Sequence, residues 1–224
     1  FLVDGFIATS ENDKSTLIKY FNIKEKKIRV IYLGIDIEKM KENCDGVFKF
    51  PTRVPGTPFM IGHIGRMTFQ KAQEYLLEAF DILSAKYPQI MLTIVGTGEN
   101  ELVLRRIVEE RSLEQKVIFK GYIKDIYNEL RNYDVHVLTS RFEGTGYVNL
   151  EAMALGVPVI TSEDGGATNF FTNCHDSMIT ILEDPVSTAD AIERLISDEN
   201  FRKQLIKNAF STVSQYTAER LANE

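Results

Sequence analysis

The sequence has little of three features that mark large classes of protein: basic charge, cysteine and long apolar runs. Its 26 Lys and Arg are outnumbered by 32 Asp and Glu, and the formal net charge is −6. This balance argues against nucleic acid as a partner, because phosphate backbones attract basic surfaces. The two cysteines, Cys44 and Cys174, lie far apart with no metal-ligand pattern around them. We therefore expect free thiols in a reducing cytosol rather than a disulfide.

No apolar stretch approaches the roughly 20 residues that span a bilayer, and no signal peptide is visible, so a cytoplasmic location is expected. What is present is an ordinary globular composition, with 44% hydrophobic and 26% charged residues among 224. Such a chain is long enough to bury a core. It begins at Phe1 rather than Met, and VDGFIATS is typical of the end of a strand. We therefore expect this sequence to be part of a longer protein.

The first part of the chain predicts two strand-and-helix units followed by a linker. In order, the predicted elements are strand 1–10, helix 11–21 capped by Ser10, strand 27–34 and short helix 36–40. Residues 44–57 are the predicted linker, because the stretch CDGVFKFPTRVPGTP, which ends at Pro58, holds three of the chain's six prolines and has no periodicity. This linker would separate residues 1–43 from residues 58–224.

Beyond residue 58, short apolar strands alternate with helical segments. The strand candidates are FMIGHIG, IMLTIVG, KVIFKG, VHVLTS, VPVITS and SMITIL. Between the first two, KAQEYLLEAFDILSAKY carries an apolar stripe at helical spacing, and the tail from about Val186 is helical. Continuous apolar strands suit a sheet buried on both faces, and steady alternation means right-handed crossovers. The predicted fold class is α/β, with a doubly wound, mostly parallel, Rossmann-like sheet.

Ligands of such sheets bind beyond the carboxyl ends of the strands, where this sequence places glycines and charges. After the first strand, GRMTFQK carries Arg66 and Lys71, which either bind an anion together or form a solvated charged loop. After the second strand, GTG holds Gly96 and Gly98 but lacks the third glycine and the ribose-binding acid of a dinucleotide fingerprint. This difference argues against NAD as a ligand.

The loop and helix in EGTGYVNLEAMAL carry the strongest signal. Gly144 and Gly146 allow a tight turn and a close approach of the backbone to a ligand. The helix predicted over 147–155 begins with unpaired N–H groups that, with the helix dipole, form an anion site. Glu151 lies one turn into this helix among apolar residues, where a ribose diol would satisfy its carboxylate. Two simpler interpretations stay open: a favourable charge near a helix start for Glu151, and an exposed loop acid for Glu143.

Together these residues resemble the carboxyl-terminal, donor-binding domain of retaining nucleotide-sugar glycosyltransferases, which is one half of a GT-B fold, in the large group numbered family four. The matching segments follow in family order: VDGFIATSE, IRVIYLGIDIEKM, GRMTFQK, LTIVGTGE, VIFKGYI and VLTSRFEGTGYVNLEAMALGVPVI. The resemblance implies transfer of a hexose from a UDP- or GDP-sugar to a hydroxyl acceptor with retention of configuration. It also implies an amino-terminal domain, ending in residues 1–43, that meets a glycan or lipid-linked acceptor and can touch a membrane surface.

The resemblance assigns a role to each candidate residue. Arg66 and Lys71 would bind the donor diphosphate and stabilise the leaving charge. Glu151 would hold the ribose hydroxyls, and Glu143 would face the donor sugar. Because the chain has no Asp-x-Asp motif, no metal or other cofactor is implied. The other nucleotide-binding positions are Gly96, Gly98, Tyr122, Ile123, Gly144, Thr145, Gly146, Tyr147 and Val148.

Three positions depart from the family pattern and bear on the choice of donor sugar. Ala72 stands where glycine is usual, Thr145 where a bulky apolar residue is usual, and Asn169 where a glutamate is frequent. Two functions from other classes stay open: a glycoside hydrolase with two carboxylates and a nucleotide-binding regulatory module without chemistry. Because GT-B active sites lie between two domains, the chain alone is expected to be inactive as a transferase.

Overall fold

The computed structural model describes residues 3–32, 34–37, 39–40, 56–144, 146–163 and 170–219. Most of the predicted linker lies outside these ranges, as do Cys44, Thr145 and Asn169. Cys174 is an exposed free thiol.

The amino-terminal residues form a small parallel sheet. It consists of β1 (Phe6–Ala8) and β2 (Ile28–Val30), which are connected by α1 (Glu11–Phe21) and a 3₁₀ turn (Glu25–Lys27). The Ser10 hydroxyl accepts a hydrogen bond from the Asp13 amide at 3.0 Å, which confirms the predicted helix cap. Both strands are shorter than predicted, because the apolar runs extend beyond the three residue pairs over which β1 and β2 hydrogen-bond.

Six parallel strands form the main sheet, in the spatial order β5-β4-β3-β6-β7-β8. The strands are β3 (Phe59–Ile64), β4 (Ile90–Val95), β5 (Val117–Gly121), β6 (Val135–Leu138), β7 (Val159–Ser162) and β8 (Met178–Thr180). The helices are α2 (Gln73–Lys86), α3 (Glu101–Glu110), α4 (Ile126–Leu130), α5 (Tyr147–Ala154), α6 (Pro185–Ser197) and α7 (Glu199–Val213). The predicted doubly wound parallel sheet is confirmed.

Two hydrophobic cores explain why the central strands are apolar throughout. All four residues of β6 and all four of β7 are buried. Within β7, Val159 belongs to one core and Ile160 to the other, since alternate residues of a strand point to opposite faces. The core around Ile160 includes side chains of α2 and α6, and the core around Val159 includes side chains of α5 and α7. Helices therefore cover both faces of the sheet.

The chain order of the strands reverses between β3 and β6, which are neighbours in the sheet. β4 and β5 lie on one side of β3, whereas β6, β7 and β8 lie on the other. The packing here is close, because a Cβ added to Gly62 of β3 would lie 1.9 Å from the ring of Tyr133. A crevice at the carboxyl ends of two such strands is the usual ligand site of a Rossmann-like sheet.

Part of the predicted amino-terminal segment contacts the far end of the chain. The Ile35 amide donates to the Tyr216 carbonyl at 2.9 Å, and Met40 is buried in the core that contains α5 and α7. The predicted division of the chain at 44–57 stays a prediction. Among the helices of the described ranges, none combines the length and the apolar character needed to cross a membrane.

Candidate functional site

The crevice between β3 and β6 brings Lys71 and Glu143 into contact. The Lys71 ammonium forms an ion pair with Glu143 Oε1, and the Ser140 hydroxyl donates to the same oxygen at 2.6 Å. The pair is largely buried, with 14% of the Lys71 side chain and 9% of the Glu143 side chain exposed. Glu143 is therefore not an exposed loop acid. Sequence reasoning selected both residues but did not predict that they pair.

Arg141 ties the loop after β6 to the loop after β3. Its guanidinium donates to the Phe69 carbonyl at 2.5 Å and to Glu74 at 2.9 Å, and it also pairs with Glu183. The ring of Phe69 lies 4.0 Å from the guanidinium carbon, within the range of a cation–π contact. Sequence reasoning missed Arg141, whose only signal was a charged residue directly after the predicted strand VHVLTS.

Three further hydrogen bonds join the same two loops. The Arg141 amide donates to the Gln70 carbonyl at 2.8 Å, and the Gln70 side chain donates to the Phe142 carbonyl at 2.9 Å. The Thr139 hydroxyl donates to the Ala72 carbonyl at 3.1 Å. The segments 69–72 and 139–143 therefore act as one unit that holds Lys71 and Glu143.

Ala72, at the end of the first loop, has a left-handed backbone with φ 51° and ψ 41°. L-residues adopt this conformation at a cost of about 1 kcal/mol, whereas glycine does so freely. This geometry gives a physical reason for the glycine that is usual at this position in the family that the sequence resembles.

Arg66 lies at the open side of the crevice. Its side chain is exposed, and the described residues offer it no ion pair. Its carbonyl oxygen accepts a hydrogen bond from the side chain of Gln73 at 2.8 Å. The guanidinium is thus available to an anion, while the backbone that carries it is fixed.

The helix predicted after the glycine loop starts where the sequence placed it. α5 begins at Tyr147, and Gly146 precedes it with a left-handed backbone of φ 61° and ψ 50°, which favours glycine. Its first-turn amides point toward the loop, as at any helix start.

The residues around this helix start contact the amino-terminal part of the chain. The Tyr147 hydroxyl donates to the Gly34 carbonyl. Gly144 lies next to the start of α1, since an added Cβ would be 3.4 Å from the Thr9 hydroxyl oxygen and 3.7 Å from Asp13 Oδ2. Val148 is partly buried in the first turn.

Glu151 of α5 is buried, with only 8% of its surface exposed. Burial raises the pKa of its carboxyl group to about 7, although a hydrogen bond from Tyr127 opposes that shift. Burial and the charge of Glu151 raise the pKa of Tyr127 in turn, to about 12. Sequence reasoning missed Tyr127, which lies in the short helix α4 after β5.

Gly96 and Gly98 have a second role, which is steric. A Cβ on Gly96 would lie 2.1 Å from the Gly65 carbonyl oxygen, and a Cβ on Gly98 would lie 2.2 Å from that of Met67. The loop after β4 therefore closes onto the loop that carries Arg66. Contact of these glycines with a nucleotide stays a prediction.

The predicted base-binding residues follow β5 at the same edge of the sheet. Tyr122 is 79% exposed, and Ile123 is partly buried. Their contact with a base stays a prediction. The described residues contain no group of three or more His, Cys, Asp or Glu that could hold a metal ion.

Comparison with known proteins shows the family. The family model described as "Glycosyl transferases group 1" matches residues 46–212. An uncharacterised glycosyltransferase of Methanocaldococcus jannaschii is 31% identical over 225 residues, covering 97% of this chain and 57% of the relative. The capsular polysaccharide biosynthesis glycosyltransferase CapM of Staphylococcus aureus is 30% identical over 227 residues, covering 95% and 59%. The chain thus spans less than two thirds of these curated relatives.

Solved structures show the same fold. HepE of Anabaena, crystallised with UDP and glucose, superposes with a TM-score of 0.86 at 24% identity, over 99% of this chain and 62% of that one. The sheet described above is therefore the Rossmann-like half of a GT-B fold, as the sequence resemblance implied. This chain belongs to the group 1 glycosyl transferases.

Proposed function

We propose that this chain binds the nucleoside-diphosphate sugar of a glycosyltransferase that moves the sugar to a hydroxyl acceptor with retention of configuration. The observation that carries the proposal is the buried Lys71–Glu143 pair at the switch point of the sheet. Glu143 lies on the loop that leads into the glycine-capped start of α5. Ligands of such sheets bind at this point, and a cation, a carboxylate and a helix start that can bind an anion would suit a nucleoside-diphosphate sugar there.

The pair suits the charge changes of the reaction. A donor that breaks at its anomeric carbon leaves negative charge on the diphosphate and positive charge on the sugar. The Lys71 ammonium has three donors, so it can bind the diphosphate while it still contacts Glu143. As negative charge grows on the leaving group, Lys71 shifts toward it and Glu143 is freed to stabilise the sugar cation. Such interactions strengthen in the transition state, and only those accelerate the chemical step.

Arg66 and the first amides of α5 complete the proposed diphosphate site without metal. Arg66 has an exposed guanidinium on a backbone that Gln73 fixes. Arg binds phosphate oxygens through paired, charge-assisted hydrogen bonds.

Glu151 is the residue that we propose binds the ribose. The Tyr127 hydroxyl favours the charged form of its buried carboxyl group, and a carboxylate has room to accept several hydrogen bonds. Two ribose hydroxyls would supply them and offset the cost of burial.

The relatives guide the choice of probes. The HepE complex contains UDP and glucose, which favours UDP as the first nucleotide to test, with GDP as the second. CapM is named for capsular polysaccharide biosynthesis, which favours a glycan or lipid-linked acceptor. The acceptor site would lie in the part of the protein that this chain does not include, and we expect the chain alone to show no transfer.

A paired experiment tests the roles of the two glutamates. Glu151→Ala should weaken UDP binding to this chain by about 10- to 100-fold, because it removes hydrogen bonds to a charged group. Glu143→Gln should lower turnover of the full-length enzyme while nucleotide binding persists. Glu109→Ala, on the exposed side of α3, is the control for both measurements. Normal UDP binding by Glu151→Ala, or normal turnover by Glu143→Gln, would show that the assigned role is wrong.

The regulatory-module alternative makes a different prediction. A module without chemistry would bind nucleotide, yet the full-length protein would release no free UDP from any UDP-sugar in the presence of acceptor.

A further inference from the structure

Two histidines lie side by side between β3 and β6, beneath the proposed diphosphate site. His63 and His136 are both fully buried. Their rings are nearly parallel, with centroids 6.4 Å apart and planes inclined by 20°. Neither residue was predicted from the sequence to have a functional role, because a histidine in an apolar strand gives no signal of one.

The hydrogen bonds of His63 determine its tautomer. Its Nδ1 lies 2.9 Å from the Val137 carbonyl oxygen, which can only accept, so Nδ1 carries the proton. Its Nε2 therefore accepts from the Gln73 side-chain amide at 3.1 Å. That amide donates its second proton to the Arg66 carbonyl. A chain of contacts thus runs from β6 through His63 to the backbone of Arg66.

The hydrogen bonds of His136 determine the same tautomer. Its Nε2 accepts from the Ile64 amide at 3.2 Å, so its Nδ1 carries the proton and donates to Asn149 Oδ1 at 3.0 Å. Asn149 lies in the first turn of α5. A second chain of contacts thus runs from β3 through His136 to the proposed anion-binding helix start.

Both imidazoles are neutral in this environment. Burial lowers the pKa of His63 to about 4 and that of His136 to about 3, and the nearby positive charge of Lys71 lowers each further. Neutral rings can donate and accept at once, which each of these contact chains requires.

The two chains of contacts begin where the backbone pairing between β3 and β6 ends. β3 and β6 pair at Ile61–Val135 and at Gly62–His136. Beyond that point the Ile64 amide and the Val137 carbonyl bond to histidine rings instead of to each other. The strands can therefore separate at their carboxyl ends without leaving these backbone groups unpaired.

We propose that His63, His136, Gln73 and Asn149 are positioning residues that set the separation between the loop of Arg66 and the first turn of α5. The inference rests on the proposed function, because these two elements would hold the diphosphate of the donor. His63 and His136 connect the strands, and Gln73 and Asn149 carry that connection to the binding elements.

The hydrogen-bond network of His63, His136, Gln73 and Asn149 lowers the stability of the fold, which supports a functional role. Gln73 Oε1 and Asn149 Nδ2 are buried and have no hydrogen-bond partner among the described residues. Each such group lowers the stability of the fold, and apolar side chains of the same shape would avoid this loss. Polar residues that reduce stability in this way are expected where a site requires them.

Gln73→Met and Asn149→Leu test the proposal on this chain. Each replaces a buried amide with an apolar side chain of the same length, so the fold should persist. We expect each variant to weaken UDP binding by about tenfold, as measured by calorimetry. Uridine lacks the diphosphate, and its binding should change by less than about twofold. A role confined to folding would not move the ratio of the two dissociation constants.

Ile192→Val supplies a stability control, because Ile192 is fully buried in α6, in the core around Ile160, and is not a member of the proposed network. UDP should bind this variant as it binds the wild type. If Gln73→Met fails to fold, His63→Asn replaces it, since Asn keeps a donor toward Val137 and removes the acceptor for Gln73.

Unchanged UDP binding by the variants, or equal weakening of UDP and uridine, would overturn the positioning role while leaving the proposed function in place. Failure of the wild type to bind UDP, GDP or inorganic pyrophosphate would overturn both.

Discussion

Lys71 and Glu143 form an ion pair across the crevice between β3 and β6, and Ser140 donates a hydrogen bond to the same carboxylate oxygen. The pair connects Lys71, which is proposed to bind the diphosphate, to Glu143, which is proposed to face the sugar. Each charge lowers the cost of burying the other, so removal of one partner affects both roles.

Substitutions at the two partners should therefore have opposite effects on nucleotide affinity. Lys71→Met should weaken UDP binding and lower the free energy of unfolding by about 1–3 kcal/mol, because it leaves the Glu143 charge buried without a cation. Glu143→Gln should bind UDP at least as tightly as the wild type, because it removes a negative charge near the diphosphate. Calorimetry and denaturant unfolding measure these quantities.

Lys86→Met is the matched control for Lys71→Met. Lys86 pairs with Glu193 in the same way, but its side chain is 61% exposed and lies away from the crevice. Exposed pairs contribute little to stability, so this variant should match the wild type in both measurements. Weaker UDP binding by Glu143→Gln would contradict the account of the pair.

The raised pKa of Glu151 predicts that UDP binding depends on pH near neutrality. Its carboxyl group has a pKa of about 7 in the fold, and the proposed ribose contact needs the ionised form. Affinity should fall as the pH is lowered from 8 to 6, by up to about tenfold per unit below that pKa. Because UDP has its own titrating phosphate, the same titration with Glu151→Gln isolates the contribution of the protein. Parallel pH profiles would contradict the ribose role.

The same shift predicts that Glu151→Gln stabilises the protein at pH 8. A folded-state pKa above the ordinary value of 4.5 means that the folded state binds more protons between pH 4.5 and 7. Stability from this group is therefore present at low pH and is lost as the pH rises through about 7. Removing the buried charge should raise the free energy of unfolding at pH 8 by about 3 kcal/mol. Urea unfolding at pH 5 and pH 8 should show a much smaller gain at pH 5 than at pH 8.

His63 and His136 predict a loss of stability in acid. Their folded-state pKa values of about 4 and 3 lie below the ordinary value of 6.5, so the unfolded chain takes up protons first as the pH falls. Stability from the two residues is complete above about pH 6.5 and declines toward pH 4, by about 1.4 kcal/mol per pH unit for each proton. His63→Asn should remove about one proton from the uptake at pH 5.

Arg141→Lys tests whether the two loops act as one unit. Lysine cannot contact Phe69, Glu74 and Glu183 together, because it lacks the planar fork of the guanidinium. The substitution should lower the free energy of unfolding by about 2 kcal/mol and should weaken UDP binding. Arg105→Lys is the control, since Arg105 also pairs with a glutamate and lies over a ring, but on the exposed side of α3. Equal effects of the two substitutions would show that the loop contacts do not position the site.

The sheet and the start of α5 could be predicted from the sequence because their signals are local. Apolar runs between turn residues identify strands, and Gly146 before an apolar helix marks its first turn. The amino-terminal strands were predicted too long because their ends depend on which residues find a pairing partner. That choice is made by the fold and is not visible in an apolar run.

The contacts that organise the site could not be predicted because they join residues about 70 positions apart. Lys71 reaches Glu143, Arg141 reaches Phe69, and His63 reaches the Val137 carbonyl. Each depends on the register between β3 and β6, which no periodicity encodes. The sequence indicated that Lys71 and Glu143 could act in a binding site. It did not indicate that they form an ion pair or which residues hold that pair in place.

Calorimetric titration of this 224-residue chain with UDP and with GDP, each with and without EDTA, tests the central claim most directly. The account predicts that at least one of the two nucleotides binds at a single site and that EDTA leaves the affinity unchanged, because Arg66, Lys71 and the start of α5 supply the positive charge. Absence of binding by both nucleotides, or binding that requires added magnesium, would contradict it.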